Sequence, residues 1–253
     1  MVDTLRRWIA ESDHIVFLGG AGVSTESGIP DFRSQDGLAG RLGPGDPPLE
    51  ELLSHDFFSR RPEVFFKHHK AHLVFEEAQP SAAHRALAAL ERQGKLRAVI
   101  TQNVDGLHQR AGSRQVLELH GSSARNYCVR CKTPYPASYL LDPANCRDAE
   151  GRPGHTPRCA KCGEVVRPDV VLYGEPLDER VLRQAMRAVA AADLLLVGGT
   201  SLVVYPAAGL ISYFKGRRMV LINRGATPYD DQADLVIRAS IGETLSAAVD
   251  TGG

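Results

Sequence analysis

Short runs of apolar residues recur along the chain, each three or four residues long. They lie at residues 15–18, 98–100, 116–119, 194–197, 219–222 and 235–237. Continuous apolar runs of this length are typical of strands buried on both faces of a parallel sheet. Four of the runs lead directly into a polar or glycine-rich segment, at residues 19–25, 101–105, 198–201 and 223–224. The pattern therefore predicts a parallel sheet whose strands end in loops that carry chemistry.

Segments with helical periodicity separate these runs. Ser81 can cap a helix whose apolar residues recur three and four positions apart, and Gly94 can end it. Asp178 can cap another helix that continues through Val189, and an amphipathic helix is predicted around Trp8. Strand, loop and helix thus alternate along the chain. This alternation predicts an α/β fold with a doubly wound parallel sheet, which binds ligands outside the carboxyl ends of its strands.

The segment after the first run combines glycines with hydroxyl side chains. Gly20 and Gly22 follow the strand, and Ser24 and Thr25 are expected to cap a helix. Backbone N–H groups at such a helix start favour a pyrophosphate, but Thr25 replaces the third glycine of the common dinucleotide fingerprint. The acidic ribose-binding residue would fall among residues 41–43, outside any predicted strand. The glycines alone fit a dinucleotide site and a plain tight turn equally well.

Between residues 34 and 79 the strand pattern disappears. Glycines and prolines predict a loop over residues 37–48, and apolar positions within residues 52–58 and 64–74 predict a small helical module. Three histidines at positions 68, 69 and 72 lie in the second segment, with no cysteine or carboxylate at ligand spacing. They are interpreted as part of a packed or solvated helix face rather than as a metal site.

Four of the five cysteines form two Cys-x-x-Cys pairs. Each pair can close on one ion, and four thiolates fill the tetrahedral coordination of one structural Zn2+. Two matching pairs favour structural zinc over a redox disulfide. The proline-rich segment between the pairs predicts an irregular loop held at its base by the metal. The predicted zinc ligands are Cys128, Cys131, Cys159 and Cys162, and Cys146 is interpreted as a loop thiol outside the site.

Composition narrows the class of protein without giving a function. The chain has 253 residues, of which 43% are hydrophobic, enough for one sizeable core and a smaller appendage. The 30 Lys and Arg residues balance the 30 Asp and Glu residues, so net charge gives no indication of nucleic-acid or membrane binding. The sequence shows no signal peptide and no apolar run of membrane-spanning length. Together with the paired cysteines, this predicts a cytoplasmic protein.

Several motifs, taken together, resemble those of one enzyme family. In chain order they are GAGVSTESGIPDFR, TQNVDGLH, LHG at residues 119–121, the two cysteine pairs, RPDVVLYGE and GTSLVVYPAA. Their order is similar to that of the sirtuins, the NAD-dependent protein deacylases, over nearly the whole chain. The resemblance implies a Rossmann-like domain at residues 1–33, 81–123 and 171–253, an inserted helical module at residues 34–80 and a zinc-binding module at residues 124–170.

The resemblance also implies NAD as a co-substrate and indicates which residues bind it. Cofactor orientation in the family is reversed relative to dehydrogenases, which accounts for the missing acidic residue. The implied cofactor-binding residues are Gly20, Ala21, Gly22, Thr25, Asp31, Phe32, Arg33, Gln102, Asn103, Val104, Asp105, His120, Gly199, Thr200, Ser201, Asn223, Arg224 and Ile241.

For catalysis the resemblance implies His120 and Asn103. In the family, the acyl oxygen of an acyl-lysine attacks the anomeric carbon of the nicotinamide ribose, and nicotinamide leaves. A base must then deprotonate a ribose hydroxyl, and the imidazole of His120 suits this role because it titrates near neutral pH. The alternative for His120 is a strand-end histidine bonded to backbone, whereas His108 is interpreted as structural. The implied acyl-lysine residues are Val171, Tyr173, Gly174, Glu175 and Val204.

The implied function is NAD-dependent deacetylation of protein lysines, with release of nicotinamide and O-acetyl-ADP-ribose. Acyl-lysine proteins or peptides are the expected partners. Two alternatives stay open, a mono-ADP-ribosyltransferase and an NAD-binding protein without activity. Family members that prefer succinyl groups carry a Tyr-x-x-Arg pair, for which Phe65 and His68 stand here. Neither supplies a guanidinium for a carboxylate, so acetyl is expected to be preferred to succinyl.

Overall fold

The computed structural model describes residues 1–32, 34, 36–75 and 77–250. The strands are β1 (Ile15–Gly19), β2 (Leu96–Thr101), β3 (Val116–Glu118), β4 (Gly121–Cys128), β5 (Pro134–Pro136), β6 (Cys146–Arg147), β7 (Pro153–Pro157), β8 (Val166–Val170), β9 (Leu194–Gly198), β10 (Arg218–Ile222) and β11 (Leu235–Ile237). The helices are α1 (Val2–Ala10), α2 (Leu49–Leu52), α3 (His55–Arg60), α4 (Pro62–His72), α5 (Ala82–Arg92), α6 (Leu107–Arg110), α7 (Ala137–Leu141), α8 (Glu179–Ala191) and α9 (Ile241–Ala248).

A parallel sheet with the strand order β11-β10-β9-β1-β2-β3 forms the main layer. The predicted strands and the doubly wound sheet are confirmed. From β1 the chain builds outward to β3, and it then returns to the other side of β1 and builds outward from β9 to β11. Gly19 at the end of β1 lies opposite Gly198 at the end of β9. The strand order therefore reverses between β1 and β9, the point at which open α/β sheets bind ligands.

Alternate residues of β1 enter the two hydrophobic layers of the core. Ile15 and Phe17 pack in the layer that includes α1, α5 and α9. Val16 and Leu18 pack in the opposite layer with α8. All four side chains are at most 1% exposed. Helices cover both faces of the sheet, which explains why its strands have continuous apolar runs rather than alternating ones.

Two predicted helix caps are present. The Ser81 side chain accepts a hydrogen bond from the His84 N–H at the start of α5, and the His84 side chain in turn bonds the Ser81 N–H. Asp178 accepts hydrogen bonds from two backbone N–H groups at the start of α8, at 2.7 and 3.1 Å. Side-chain acceptors satisfy N–H groups that have no partner within the helix. The caps therefore fix where both helices begin.

The prediction of a helix directly after β1 is wrong. Ala21–Val23 and Thr25–Ser27 form short 3-10 turns instead, and Gly28, with φ of +82°, ends the second turn. Neither of these described turns has a capping hydrogen bond to a side chain, and the hydroxyl groups of Ser24 and Thr25 donate to Asp105 and to the Gly22 carbonyl oxygen. A ligand at this loop therefore meets the backbone of short turns rather than a helix terminus.

The segment between β1 and α5 is helical, as predicted, but its first part is divided in two. Ser54 separates α2 from α3, and its Oγ accepts a hydrogen bond from the Phe57 N–H at 3.1 Å. Four phenylalanines of α3 and α4 pack in one cluster with Leu140 and Val166 of the cysteine-containing insertion. The two insertions therefore share a hydrophobic core of their own beside the main sheet.

The prediction of an irregular loop between the cysteine pairs is wrong. The strand β4 pairs antiparallel with β5 and β8, and β6 pairs antiparallel with β7. Four of the five prolines that suggested a loop occupy positions where a strand tolerates them, and the fifth, Pro143, lies in a 3-10 turn. Pro134 and Pro136 lie in β5 at the edge of its sheet, and Pro153 and Pro157 are the two ends of β7. A missing N–H costs little at an edge or a strand end.

The two insertions leave the main sheet at different points. The helical one lies between β1 and α5, and the cysteine-containing one lies between β3 and α8. Strand β4 begins at Gly121, three residues before the expected start of the zinc-binding module at residue 124. The division into domains at the expected boundaries stays a prediction. Within the described ranges, the helices are too short or too polar for any of them to cross a lipid bilayer.

Candidate active site

One large cleft lies at the carboxyl ends of β1 and β9. Its volume is about 1290 Å3, and loops after β1, β2, β9 and β10 line it together with parts of both insertions. Every described residue that the sequence assigns to the cofactor or to acyl-lysine lines this cleft. Arg33, which was assigned to the cofactor, lies outside the described residues. The fold thus gathers residues from distant parts of the chain around one cavity.

Two loops at the floor of the cleft approach so closely that only glycine fits. The Gly22 N–H donates to the Gly199 carbonyl oxygen at 2.8 Å. A Cβ on Gly22 would lie 2.7 Å from the Gly199 Cα, and a Cβ on Gly20 would lie 2.9 Å from the Thr200 Cβ. Contacts this short are not tolerated between real side chains and backbone. The glycine pattern therefore reflects the crossing of the β1 and β9 loops, which together form the floor of the cleft.

A part-buried hydrogen-bond network joins the β1 loop to the β2 loop. Ser24 Oγ donates to Asp105 Oδ2 at 2.7 Å and accepts from Asn103 Nδ2 at 3.0 Å. Burial raises the pKa of Asp105, although hydrogen bonds from the Leu107 N–H and from Ser24 oppose the shift. Sequence reasoning missed Ser24 as a site residue, and its only signal was its position inside the GAGVSTE motif. The network holds the side chains of Asn103 and Asp105 in the cleft wall.

The end of the cleft beside β9 and β10 is closed by contacts between loops. Gln102 Nε2 donates to Thr200 Oγ1 at 3.1 Å, which ties the β2 loop to the β9 loop. The Glu26 carboxylate accepts from the Gly242 N–H at 3.1 Å, next to Ile241 at the start of α9. Sequence reasoning also missed Glu26, because nothing local indicates its contact with a segment more than 200 residues later. These contacts position Thr200, which follows β9, and the start of α9, which includes Ile241.

His120 lies between β3 and β4 in the wall of the cleft. Its Nδ1 is 2.9 Å from the Gln102 carbonyl oxygen, which can only accept. Nδ1 therefore carries the proton, and the neutral ring keeps a lone pair on Nε2. Burial lowers the pKa of His120, and the hydrogen bond to Gln102 opposes this shift. A neutral imidazole whose Nε2 has no hydrogen-bond partner among the described residues can accept a proton at neutral pH.

The segment from Val171 to Glu175 forms another part of the wall and is bound to the helical insertion. The Tyr173 N–H donates to the Leu53 carbonyl oxygen, and the Tyr173 carbonyl oxygen accepts from the His55 N–H, both at 3.0 Å. The carboxylate of Glu175, which was assigned to substrate binding, accepts from Arg167 at 2.6 and 2.9 Å. Glu175 therefore lines the cleft with its carboxylate already engaged.

Two residues of α4 line the cleft, and they are not the expected pair. Phe65 does so, as expected, but the second is His69, whose ring stacks on that of Phe65 with centroids 5.9 Å apart. The expectation for His68 is wrong, because the helix turns it towards Asp46, 3.3 Å from its Nε2. Residues four apart share a helix face. Burial, with a smaller contribution from Lys70, lowers the pKa of His69 to about 4, so its ring is neutral at pH 7.

Two further histidines pack against each other outside the cleft lining. The rings of His84 and His108 have centroids 4.5 Å apart. Within the described ranges, neither ring nitrogen of His108 has a hydrogen-bond partner. Burial lowers the pKa of His84 to about 4 and that of His108 to about 3. Their position in the core agrees with the structural role expected for His108.

The four paired cysteines converge on one point in the zinc-binding insertion. Their sulfur atoms lie within 4.8 Å of one another. Cys128 and Cys162 are 3.5 Å apart, and Cys131 is 3.6 Å from both Cys159 and Cys162, measured between Sγ atoms. Four ligands at about 2.3 Å from one tetrahedral zinc are separated by about 3.8 Å, so the cluster fits one Zn2+ with no open position. Cys146 lies outside this cluster, buried, with Lys70 Nζ 2.9 Å from its sulfur.

The protein thus combines a Rossmann-like sheet, which has a cleft at its switch point, with a helical insertion and a four-thiolate cluster. The family model of the Sir2 family matches residues 20–206, which is well over half of the chain. The chain therefore belongs to the Sir2 family, the sirtuins.

Individual relatives match along nearly their whole length. The chain is 54% identical over 251 residues to an NAD-dependent protein deacetylase of Clostridium perfringens, covering 98% of each chain. A Sir2 variant solved with a deacetylated p53 peptide and 3'-O-acetyl ADP-ribose superimposes with a TM-score of 0.87 at 36% identity, covering 98% of this chain and 99% of the other. A Sir2 structure with p53 peptide and NAD+ gives 0.84 at 38% identity, covering 97% and 95%.

Proposed function

We propose that the protein is an NAD-dependent protein lysine deacetylase. It cleaves the nicotinamide bond of NAD and transfers the acetyl group of an acetyl-lysine to the ADP-ribose, releasing nicotinamide and O-acetyl-ADP-ribose. The main support is His120, which lies in the wall of a cleft at the switch point of the sheet and whose Nε2 bonds to none of the described residues. Relatives named as NAD-dependent protein deacetylases, and Sir2 structures described with peptide and NAD+, add to it.

In this proposal His120 is the general base. Its Nε2 accepts the proton of a ribose hydroxyl, so that the oxygen can attack the acyl-derived carbon. The Gln102 carbonyl accepts the Nδ1 hydrogen and thereby holds the ring and stabilises the imidazolium as it forms. A lowered pKa keeps the ring neutral before the reaction.

Asn103 and Asp105 are proposed to hold the nicotinamide end of NAD. The contact with Ser24 uses one N–H of the Asn103 amide, which leaves its other N–H and its carbonyl oxygen for a ligand. Because Ser24 holds both side chains before NAD arrives, binding loses little side-chain freedom. Pockets that bind drug-sized ligands have volumes of roughly 300–1,000 Å3. The cleft, at about 1290 Å3, is larger than this range and so suits a dinucleotide and an acyl-lysine together.

The four cysteines are proposed to bind one structural Zn2+. Four thiolates leave no coordination position for a substrate, and none of the four lines the cleft. The metal therefore serves the fold of the insertion, which contributes Leu140 and Pro168 to the cleft wall.

An acetyl-lysine peptide incubated with and without NAD tests the proposed function, with the products identified by mass. We expect deacetylated peptide, nicotinamide and O-acetyl-ADP-ribose in equal amounts, and only with NAD. ADP-ribosylated protein without deacetylated peptide would indicate a mono-ADP-ribosyltransferase instead. Binding of NAD without any product would indicate a binding protein.

We also propose a cytoplasmic location. The cluster sulfurs are 3.5 and 3.6 Å apart, well beyond the roughly 2.05 Å of a disulfide. A metal-binding thiolate cluster of this kind suits a reducing compartment. Localisation of the tagged full chain in cell fractions measures this directly.

A further inference from the structure

Arg167 and Glu175 stand at the two ends of the RPDVVLYGE motif and bind each other. The guanidinium donates from Nη1 to Glu175 Oε1 at 2.6 Å and from Nη2 to Oε2 at 2.9 Å. Two parallel charge-assisted hydrogen bonds fix both the distance and the angle between the planar groups. Arg167 is only 7% exposed, so solvent competes little for this pair.

Arg167 also binds the backbone of its own segment. Its Nε donates to the Pro168 carbonyl oxygen at 3.2 Å, and its Nη2 donates to the Val170 carbonyl oxygen at 2.7 Å. The guanidinium carbon lies 5.1 Å from the ring centroid of Phe58 in α3 and 6.0 Å from that of Tyr127 in β4. One side chain thus contacts the helical insertion, the zinc-binding insertion and the strand that leads into the cleft.

The chain reverses at Gly174, where φ is +89°, and this turn brings Glu175 back to Arg167. The Glu175 carboxylate also accepts from the Leu172 N–H and from His55 Nδ1, both at 2.8 Å. Burial opposes ionisation, but the hydrogen bonds from Arg167 and Leu172 lower the pKa of Glu175 to about 2. The carboxylate is therefore charged over the whole physiological pH range.

Residues 171–174, which precede Glu175 in the same motif, form the wall segment assigned to acyl-lysine. The segment is anchored on one side by the Val171 N–H, which donates to the His120 carbonyl oxygen at 3.0 Å. On the other side the Tyr173 backbone is bonded to Leu53 and His55 of the helical insertion. A segment that receives a peptide by backbone pairing needs a fixed conformation before the peptide arrives, because ordering it on binding would weaken affinity.

We propose that Arg167 and Glu175 are positioning residues for the peptide, and that their ion pair holds residues 171–174 in the conformation that pairs with the substrate backbone. The inference rests on the proposed deacetylase function and deepens it. The pair supports peptide affinity, and the chemistry of NAD is left to His120 and to the loops after β1 and β2.

Glu175→Gln tests this role because it keeps the size of the side chain and removes its charge. We expect the KM for an acetyl-lysine peptide to rise at least about tenfold while kcat changes less than about threefold. The KM for NAD should stay unchanged. Glu179→Gln is the matched control, since Glu179 forms an exposed ion pair with Arg183 on α8 and should alter neither constant.

Arg167→Lys and the double variant complete the test. Lysine keeps the charge but loses the two-pronged geometry, so Arg167→Lys should raise the peptide KM in the same way. The double variant should be little worse than either single variant, because both changes remove one interaction. Should the buried variants fail to fold, His55→Ala is the fallback. It removes the exposed contact to Glu175, together with a 3.4 Å contact to Ser59 within α3, and should give a smaller rise in the peptide KM, of about twofold.

An unchanged peptide KM in Glu175→Gln, or in His55→Ala if the buried variants do not fold, would overturn the inference. Equal rises in the KM for peptide and for NAD would also overturn it, since they would indicate a general loss of structure. A failure of the proposed function has a different signature, because the unmodified protein itself would then show no NAD-dependent deacetylation.

Discussion

One hydrogen bond sets which nitrogen of His120 can act. The Gln102 carbonyl oxygen holds the Nδ1 hydrogen, so that a proton arriving from a substrate can only be taken by Nε2. Burial lowers the pKa of His120, which keeps the ring neutral near pH 7. Both effects come from the backbone and the packing around the residue, and neither requires a second charged side chain.

His120→Ala should lower deacetylation by at least about a hundredfold, since general bases contribute roughly 10²–10⁴-fold. NAD binding, measured by titration, and thermal stability should remain close to those of the unmodified protein. His14→Ala is the matched control, because His14 is exposed at the start of β1 and away from the cleft. A His120→Ala protein that keeps more than about a tenth of the rate contradicts the base role.

The pH dependence of kcat/KM should show an acid limb that belongs to His120. A base acts only when it is deprotonated, so activity is full above its pKa and falls as the pH drops through it. Because the pKa of His120 lies below the ordinary 6.5, the midpoint of this limb should lie below pH 6.5. A midpoint above pH 6.5 in steady-state assays would show that burial does not control the ring.

The protein should prefer acetyl-lysine to succinyl-lysine by at least about tenfold in kcat/KM. Phe65 and His69 line the cleft from α4, and the pKa of His69, lowered to about 4, leaves its ring uncharged at pH 7. A succinyl carboxylate near these rings loses water without gaining a cation. Matched acetyl and succinyl peptides, assayed side by side, measure the ratio, and equal turnover would contradict this account of the pocket.

At the scale of elements, the cysteine cluster joins the end of β4 to the turn before β8. Cys128→Ser should therefore lose the zinc and unfold the β5-β4-β8 sheet at lower temperature or denaturant concentration. Cys146→Ser is the control, because Cys146 lies outside the cluster and its loss should leave one zinc per chain. Metal analysis and unfolding curves measure both variants. A Cys128→Ser protein with full zinc and normal stability would show that the metal does not support this sheet.

The packing of α5 against α6 should make the fold sensitive to acid. His84 and His108 have pKa values lowered to about 4 and about 3, below the ordinary 6.5 of the unfolded chain. Between these values the unfolded chain binds more protons, so stability is greatest above pH 6.5 and falls as the pH decreases. The loss at pH 5 is on the order of 2 kcal/mol for each ring.

Urea unfolding at pH 7.5 and pH 5 tests this sensitivity. His108→Gln should reduce the difference in stability between the two pH values, whatever its effect at pH 7.5. His14→Gln, which changes an exposed ring, should leave the difference as it is. An unchanged difference in His108→Gln would exclude His108 as a source of the pH dependence.

The elements differ in how far the sequence predicts them. The six strands of the main sheet and the caps at Ser81 and Asp178 are local signals, since apolar runs and capping side chains act within a few residues. The strands of the cysteine insertion could not be predicted, because prolines at strand edges and in loops look alike in sequence. The short turns found in place of the helix expected after Gly22 had no local signal, since Ser24 bonds to Asp105, 81 residues later.

At the scale of the whole molecule, the sequence motifs predict which residues line the cleft, whereas the contacts between those residues are known only from the fold. The cleft-lining residues within 101–105, 198–201 and 223–224 could be predicted because they follow strands, and strand ends of a parallel sheet meet at one edge. Others, such as Phe32, were implied only by the resemblance of the motifs. The ion pair of Arg167 with Glu175 could not be inferred from their spacing, since it needs a strand and a reversal at Gly174 between them. His69 rather than His68 lines the cleft because of the rotation of α4 about its axis. A short sequence motif does not determine this rotation.

The peptide segment and the proposed base share one anchor. The Val171 N–H is bonded to the carbonyl oxygen of His120. The segment is therefore held by the same residue that carries the imidazole. In the proposed complex, one end of the peptide segment and the imidazole are thus held by a single residue and one hydrogen bond. A change in the insertions that shifted the Val171 backbone would therefore act on the proton acceptor as well as on the bound peptide.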